Sequence, residues 1–331
     1  MTEDASRPGD EAHAAAVAAA QAPVLEADHA RIALDDVPAV SDLCLTTRGT
    51  RVALGGDVGA LIGLLLGAPR QPCPPGARRP MGTARLLAGS LRLCGKDVAE
   101  REHFGLAGMA PLDPPLPESS TLLEYLIWGG RLGGLSPARA RDGATSALDI
   151  VGLGRAGARP LRTLRWPERR VAVLAQALVR NPQVLVCEAP LGGLDPQAAA
   201  FVGDALRRAT EGRAAVLSVA RILPPSPESA IASTATDLCW LGSGRLLMHA
   251  EPRGLLAAQR WVELTVAGEV EALRAELRSR GIRLEGGPLH FLAIMPARAH
   301  DAAGAERGIT PILAAATAAK APVLRCVPVL G

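Results

Sequence analysis

The segment Gln183–Pro196, QVLVCEAPLGGLDP, constrains the fold most. Val184, Leu185, Val186 and Cys187 form a short apolar run with β-branched members, which suits a strand buried on both faces of a parallel sheet. An acid, Glu188, follows at once. In an α/β sheet that position lies at the carboxyl ends of the strands, where such sheets build their sites. A Gly-Gly turn, Asp195 and Pro196 come next, with Pro196 suited to the first position of a helix. The chain is therefore expected to be α/β.

Strand, acid, turn, Asp-Pro and helix together resemble the Walker B segment and D-loop of ATP-binding-cassette (ABC) ATPases, roughly LLLLDEPTSGLDP. In that family two acids hold Mg²⁺ through water and polarise the attacking water. Counting from Pro190 to Asp195 puts Glu188 at the magnesium aspartate and Ala189 at the catalytic glutamate. Sliding by one makes Glu188 the catalytic acid and leaves Cys187 at the metal position. In either register one carboxylate is missing.

The rest of the chain follows the same order of landmarks with similar departures. The segment around Arg48, TTRGTRVALGGDVGALIGLLLGAPR, reads as turn, strand, glycine-rich loop and helix. A working phosphate loop is G-x-x-x-x-G-K-[ST], its lysine on the β/γ-phosphates and its hydroxyl on Mg²⁺. The resemblance puts a degenerate Walker A loop at Gly55, Gly56 and Asp57, with Val58 at the lysine and Gly59 and Ala60 at the hydroxyls. The loop is also about four residues short, by comparison with the G-x-x-x-x-G-K pattern. The only lysines are Lys96 and Lys320, so no realignment restores one. The adenine-stacking aromatic upstream is missing, since the first aromatic is Phe104.

Gly89–Val98 is similar to a hairpin strand of the family's antiparallel subdomain, and FGLAGMAPLDPPL is similar to its Q-loop, with Leu112 in place of the glutamine. Thr121–Glu124 is a capping box, and Ser136-Pro137 opens a helix that Gly152 closes. In place of the signature LSGGQ, Leu164–Glu168 reads LRWPE: Arg165 replaces the serine, and Trp166 and Pro167 replace the glycines ahead of Glu168. Pro removes an amide donor and neither residue allows close backbone approach. Seven arginines surround this stretch, with Glu168 the single acid among them; they read as a solvated helix face rather than a docking patch for an acidic partner. Ala220 stands at the switch histidine, and Gly193, Leu194 and Asp195 keep the D-loop, a dimer contact in the family.

The domains expected are an acidic, Ala-rich tail over 1–30, disordered or loosely helical; an ABC ATPase-like domain over 31–259 with its helical subdomain at about 115–180; and a domain over 260–331. From Trp261 strand alternation, a helical face and a Gly286-Gly287 turn give the order βαββαβ, a ferredoxin-like α+β domain similar to the tails of export-type (type-2) transporter ATPases. Packing or dimerisation is its expected role. The tail carries six acids against one arginine, so the remainder stands near +8 against +3 overall, without a nucleic-acid motif. The six cysteines show no metal spacing and read as small buried hydrophobes in a reducing compartment. The acidic start is the wrong charge for a signal peptide, and no apolar run approaches the ~18 residues of a membrane span.

A charge-assisted hydrogen bond is worth ~1.5–3 kcal/mol, and a millimolar ligand is held by only about 4 kcal/mol. Losing the lysine and one or two further contacts removes ordinary ATP binding on that arithmetic. The resemblance thus implies a pseudo-ATPase subunit with no catalytic residues and with ATP and Mg²⁺ bound weakly at most. It would act as structural or regulatory partner of a second, active cassette and a membrane permease, at the cytoplasmic face of the membrane and held there by the permease. The alternatives are a free-standing soluble scaffold and, resting on Glu188 alone, an active ATPase with atypical motifs.

Overall fold

The computed structural model describes residues 22–67, 83–223, 226–254, 259–268, 270–287, 289–296 and 309–330. The first strands, β1 (Leu25–Leu34) and β2 (Val37–Thr46), pair antiparallel; β1 also pairs with β4 (Ala84–Leu93), and β4 with β5 (Lys96–Asp97). The expected tail therefore ends sooner than residue 30: Leu25, Ala27 and Ala30 are buried strand residues, and only 1–21 of that segment lie outside the described residues. The alternation was masked by a bulge, because Ala27 pairs with Leu45 but Ala30 with Leu43.

The central sheet has the order β10 (Arg245–Ala250), β9 (Asp237–Gly242), β3 (Arg51–Gly56), β8 (Ala214–Val219), β7 (Val184–Cys187), β6 (Ala107–Ala110). Its inner pairings are parallel and only the β10 edge is antiparallel. Burial on both faces explains the unbroken apolar run in β7. Val184 and Val186 pack with the antiparallel sheet and α1 (Gly59–Leu66), while Leu185 and Cys187 pack with the helices of the opposite face. Those helices are α2 (Leu122–Leu132), α3 (Pro137–Val151), α4 (Trp166–Leu178) and α5 (Pro196–Thr210).

Local signals set the helix starts. The Glu124 N–H donates to Thr121 Oγ1 and the Thr121 N–H to Glu124 Oε2, closing the capping box. Asp195 accepts from the amides of Gln197 and Ala198, both at 2.9 Å, with Pro196 as the first helical residue. A further short helix, α6 (Pro227–Thr234), leads from β8 toward β9.

The last domain runs β11 (Gln259–Val266), α7 (Glu271–Ser279), β12 (Arg283–Gly286), β13 (His290–Pro296), α8 (Thr310–Ala318), β14 (Val323–Leu330). Its antiparallel sheet has the order β12-β13-β11-β14, the ferredoxin-like arrangement. Strand β11 starts at Gln259, so the boundary falls one residue before the expected one. This domain is tied to the cassette. Trp261 meets Trp240 edge to face at 5.8 Å between ring centroids, both fully buried, and the Ile222 N–H donates to Val329 O at 2.6 Å.

Of the cysteines, Cys187 and Cys239 are buried, with burial pushing each thiol up to about 12. Cys94 and Cys326 are half-buried. Cys44 departs from the expected burial: it is exposed on β2, because Leu43 and Leu45 take the inward positions on either side. Cys73 lies outside the described residues.

Candidate functional site

Parallel pairing of β3, β8 and β7 carries the ends of all three to one edge of the sheet, so the residues after Gly56, Val219 and Cys187 emerge side by side. This edge gathers the Walker A-like turn, Ala220 and Glu188.

Strand β3 ends at Gly56 and α1 begins at Gly59, which leaves only Asp57 and Val58 between them. Their amides are already used: Asp57 N–H donates to Leu241 O at 2.9 Å and Val58 N–H to Gly56 O at 2.8 Å. Val58 and Ala60, at the lysine and a hydroxyl position, are buried apolar residues. Gly59 is open, with nothing within 4 Å of where a Cβ would stand. Gly55 and Gly56 lie against β9 instead of framing a cradle. A Cβ on Gly55 would land in the Trp240 ring, and one on Gly56 (φ 80°) on Leu241 O. The exposed Asp57 accepts from Ser243 N–H at 3.2 Å. It lines a cavity of about 140 Å³ with Trp240, Glu263, His290 and Arg325. There burial pushes the Glu263 carboxyl up and the nearby Asp57 adds to this, while Arg325, 3.4 Å away, opposes both.

At the end of β7, Glu188 is half-buried and accepts the Leu112 N–H on Oε2 at 3.0 Å. The structure thus joins the Q-loop and Walker B positions through a backbone amide. Burial holds the Glu188 carboxyl above its ordinary value, against the Leu112 bond and the charge of Arg170. Ala189 sits at φ 37°, its N–H donating to Ser218 Oγ at 2.7 Å. Its carbonyl accepts from Arg170 Nη1 at 3.0 Å, and Gly192 O accepts from Arg170 Nη2 at 3.2 Å. The same guanidinium lies 4.8 Å above the Trp166 ring. Sequence reasoning missed this role, having placed Arg170 on a solvated face. The arginine surplus of the stretch was the available signal, but its target carbonyls lie some twenty residues away.

In the signature-like turn, Arg165 and Trp166 are exposed and Pro167 half-buried, while Glu168 is buried. Glu168 bonds Arg159 Nη1 at 2.9 Å and the Arg165 N–H at 2.7 Å. Burial alone would raise its carboxyl; these partners outweigh it and hold the group low. Arg159 is therefore a second structural tie in the patch expected to be solvated. Ala220 is exposed, its N–H 3.5 Å from Glu228 Oε1. In the D-loop, Gly193 (φ 73°) and Asp195 are exposed and Leu194 is half-buried.

The residues at this edge do not match the needs of a magnesium triphosphate. Among the described residues they offer two carboxylates, Glu188 and Asp57, each accepting a backbone amide, no lysine, and a two-residue turn with its amides spent. Among the described residues no three metal-type ligands converge on Glu188.

No protein-family model matches the chain. It is 28% identical over 181 residues to a Nod factor export ATP-binding protein I of Paraburkholderia xenovorans, covering 54% of this chain and 58% of that protein. It is 32% identical over 203 residues to the daunorubicin/doxorubicin resistance ATP-binding protein DrrA of Streptomyces peucetius, covering 57% and 59%. The chain thus spans about three fifths of the length of these relatives. Among solved structures it is similar to CbiO1 of Clostridium perfringens, described as part of the ABC transporter complex CbiONQ. That match has a TM-score of 0.57 at 17% identity over 78% of this chain and 95% of that one. An ATP-binding subunit of an ABC transporter matches at TM-score 0.53, 19% identity, 69% and 90%. With these landmarks in order along one chain, the protein is similar to ABC transporter ATP-binding proteins and its body carries the ABC ATPase fold.

Proposed function

We propose that the chain is a non-catalytic cassette subunit of an export-type ABC transporter, pairing with an active cassette and seating a membrane permease at the cytoplasmic face. The carrying observation is the two-residue turn between β3 and α1, with both amides bonded internally and Trp240 packed on Gly55. A triphosphate needs free amides and a cation at that place. The names of the relatives support an export complex, and the exposed D-loop Gly193–Asp195 supports pairing with a second cassette. Among the described residues no helix is long and apolar enough to cross a membrane; on this proposal the permease supplies the membrane contact.

Thermal melting of the purified chain with and without Mg-ATP tests the reading. A site holding ATP with a Kd 100-fold below the ligand concentration would add ~2.7 kcal/mol. For a chain this large that is a rise of roughly 4 °C. The expected shift is under about 1 °C, since a Kd above the ligand concentration adds at most ~0.4 kcal/mol. A rise of several degrees that Mg²⁺ alone does not produce would refute the proposal. Co-purification of a permease and a second cassette from detergent extract is expected; soluble partners alone would favour a free-standing scaffold.

A further inference from the structure

Away from the sheet edge, the antiparallel subdomain presents a second group of chemically capable side chains: His29 on β1, and Asp42 and Cys44 on β2. The last two are two residues apart on one strand and so share a face. It is the outer face, because Leu43 and Leu45 are buried on the other. His29 joins them through the bulge in β1. The pairs Ala27–Leu45 and Ala30–Leu43 leave one extra residue on β1, and the neighbouring pairs Asp28–Ser90 and Arg31–Ala88 do the same against β4. Bulges of this kind re-aim a side chain.

The bulge carries strain. His29 has φ 47°, uncommon for a residue with a Cβ. The opposing residue on β4 is Gly89 (φ 75°), where a Cβ would collide with the carbonyl oxygens of Asp28 and His29. Two adjacent strands thus adopt unusual backbone to bring one imidazole over Asp42 and Cys44. Strain of this sort points toward a site.

The three groups converge closely enough for one ion to reach all of them. His29 Nδ1 lies 2.9 Å from Asp42 Oδ1 and 3.5 Å from Cys44 Sγ, and the three ligand atoms lie within 4.8 Å of one another. One ring nitrogen can donate a proton to one of these groups or accept from one, not serve both. With Zn–N about 2.0–2.1, Zn–O about 2.0–2.2 and Zn–S about 2.3 Å, a tetrahedral centre spaces N from S by about 3.5 Å and N from O by about 3.3 Å. The 3.5 Å N–S edge matches this geometry, while the 2.9 Å N–O edge is a hydrogen-bond length that metal binding would have to lengthen. Asp28 Oδ1 stands 4.0 Å from His29 Nε2, too long for a hydrogen bond but on the side of the ring's other nitrogen, where metal-bound histidines keep a carboxylate.

We propose that His29, Asp42 and Cys44 form a binding site for a divalent metal ion of the zinc class, with water completing the tetrahedron, clipping β1 to β2 at the bulge. Binding forms an S–metal bond and releases the Cys44 thiol proton to solvent; no oxidation is involved.

The test is a Co²⁺ titration of the full, reduced, metal-free chain, followed by Zn²⁺. A saturable thiolate-to-cobalt charge-transfer band is expected, bleached by Zn²⁺. Cys44→Ser should abolish the band, and His29→Ala and Asp42→Asn should each weaken Co²⁺ binding about tenfold or more. Cys73→Ser should leave it unchanged. Because Cys44 is exposed, its serine variant should melt with the metal-free wild type, and Zn²⁺ should raise the melting temperature of wild type only. No saturable band, a band that survives Cys44→Ser, or one lost with Cys73→Ser would each overturn the proposal.

Discussion

Gly55 offers a sharp test of what the Walker A-like turn is for. In a phosphate loop a glycine serves the ligand, and its replacement by alanine is felt only when nucleotide binds. Here the neighbour is Trp240: a Cβ on Gly55 would enter the six-membered half of the indole at Cε3 and Cζ3. Gly55 is not among the positive-φ glycines, so alanine suits its backbone, and the whole penalty is steric. Without the indole, Gly→Ala in a strand stabilises by about 0.4–1 kcal/mol, chiefly by restricting the unfolded chain. With it, overpacking a full core costs about 1–3 kcal/mol. Trp240 cannot easily yield, because it is fully buried and held edge-on by Trp261.

Gly55→Ala is therefore expected to destabilise the nucleotide-free chain by about 1–3 kcal/mol, a cost that collapses toward zero or changes sign in a Trp240→Leu background. The double variant should be less destabilised than the sum of the singles by about 1–2 kcal/mol, within the range for residues in contact. Guanidinium melts of the four proteins without nucleotide measure this directly. Additivity within about 0.5 kcal/mol would refute the packing argument, and a destabilisation appearing only with Mg-ATP would restore the phosphate reading.

Two further outcomes follow from the same contacts. Asp237 is buried and accepts from the Arg48 and Gly49 amides, Thr236 Oγ1 and, at 2.7 Å, His249 Nε2. Burial alone would raise its carboxyl, yet these bonds together hold it below the ordinary 3.8. Its contribution is thus present in full above 3.8 and lost as the pH falls through the depressed folded value. Asp237→Asn should cost about 3–5 kcal/mol at neutral pH and flatten the acid limb of the stability curve; an unchanged limb in urea melts would count against it. Trp261→Ala should cost about 3–5 kcal/mol and split calorimetric melting into separate cassette and C-terminal transitions; a single transition with less than 1 kcal/mol lost would rule out the indole pair as the main tie.

The elements legible from sequence were those whose signals are local. The β7 run, the Asp195-Pro196 cap, the Thr121 capping box and the alternation from Trp261 each depend on neighbours within a few residues. Strand β1 escaped because its bulge spaces the buried Ala27, Ala30 and Ile32 by three and then two, which defeats a period-two reading. Arg170, Trp240 and the His29–Asp42–Cys44 group escaped for a different reason. Their partners are joined to them by the fold alone: Gly55 lies beside Trp240 because β3 and β9 pair in parallel, and His29 beside Cys44 because β1 and β2 form a hairpin.

The sheet edge is largely self-satisfied. A magnesium aspartate must keep its oxygens for metal-bound water, whereas Glu188 already accepts from Leu112 N–H. A catalytic glutamate would stand near the Arg170 guanidinium, whereas at Ala189 that guanidinium takes the backbone carbonyl and the one at Gly192. The buried Arg170 Nε is the exception, without a hydrogen-bond partner among the described residues. Burial is the larger influence on both Glu188 and Arg170, and each lowers the other's electrostatic cost of it. Admitting Mg²⁺ here would place a second positive centre near Arg170. On the proposed non-catalytic reading, the residues at Glu188, Ala189 and Leu112 act together: they would replace a metal-dependent balance of charge with an internal one, using hydrogen bonds that a catalytic cassette would reserve for its ligand.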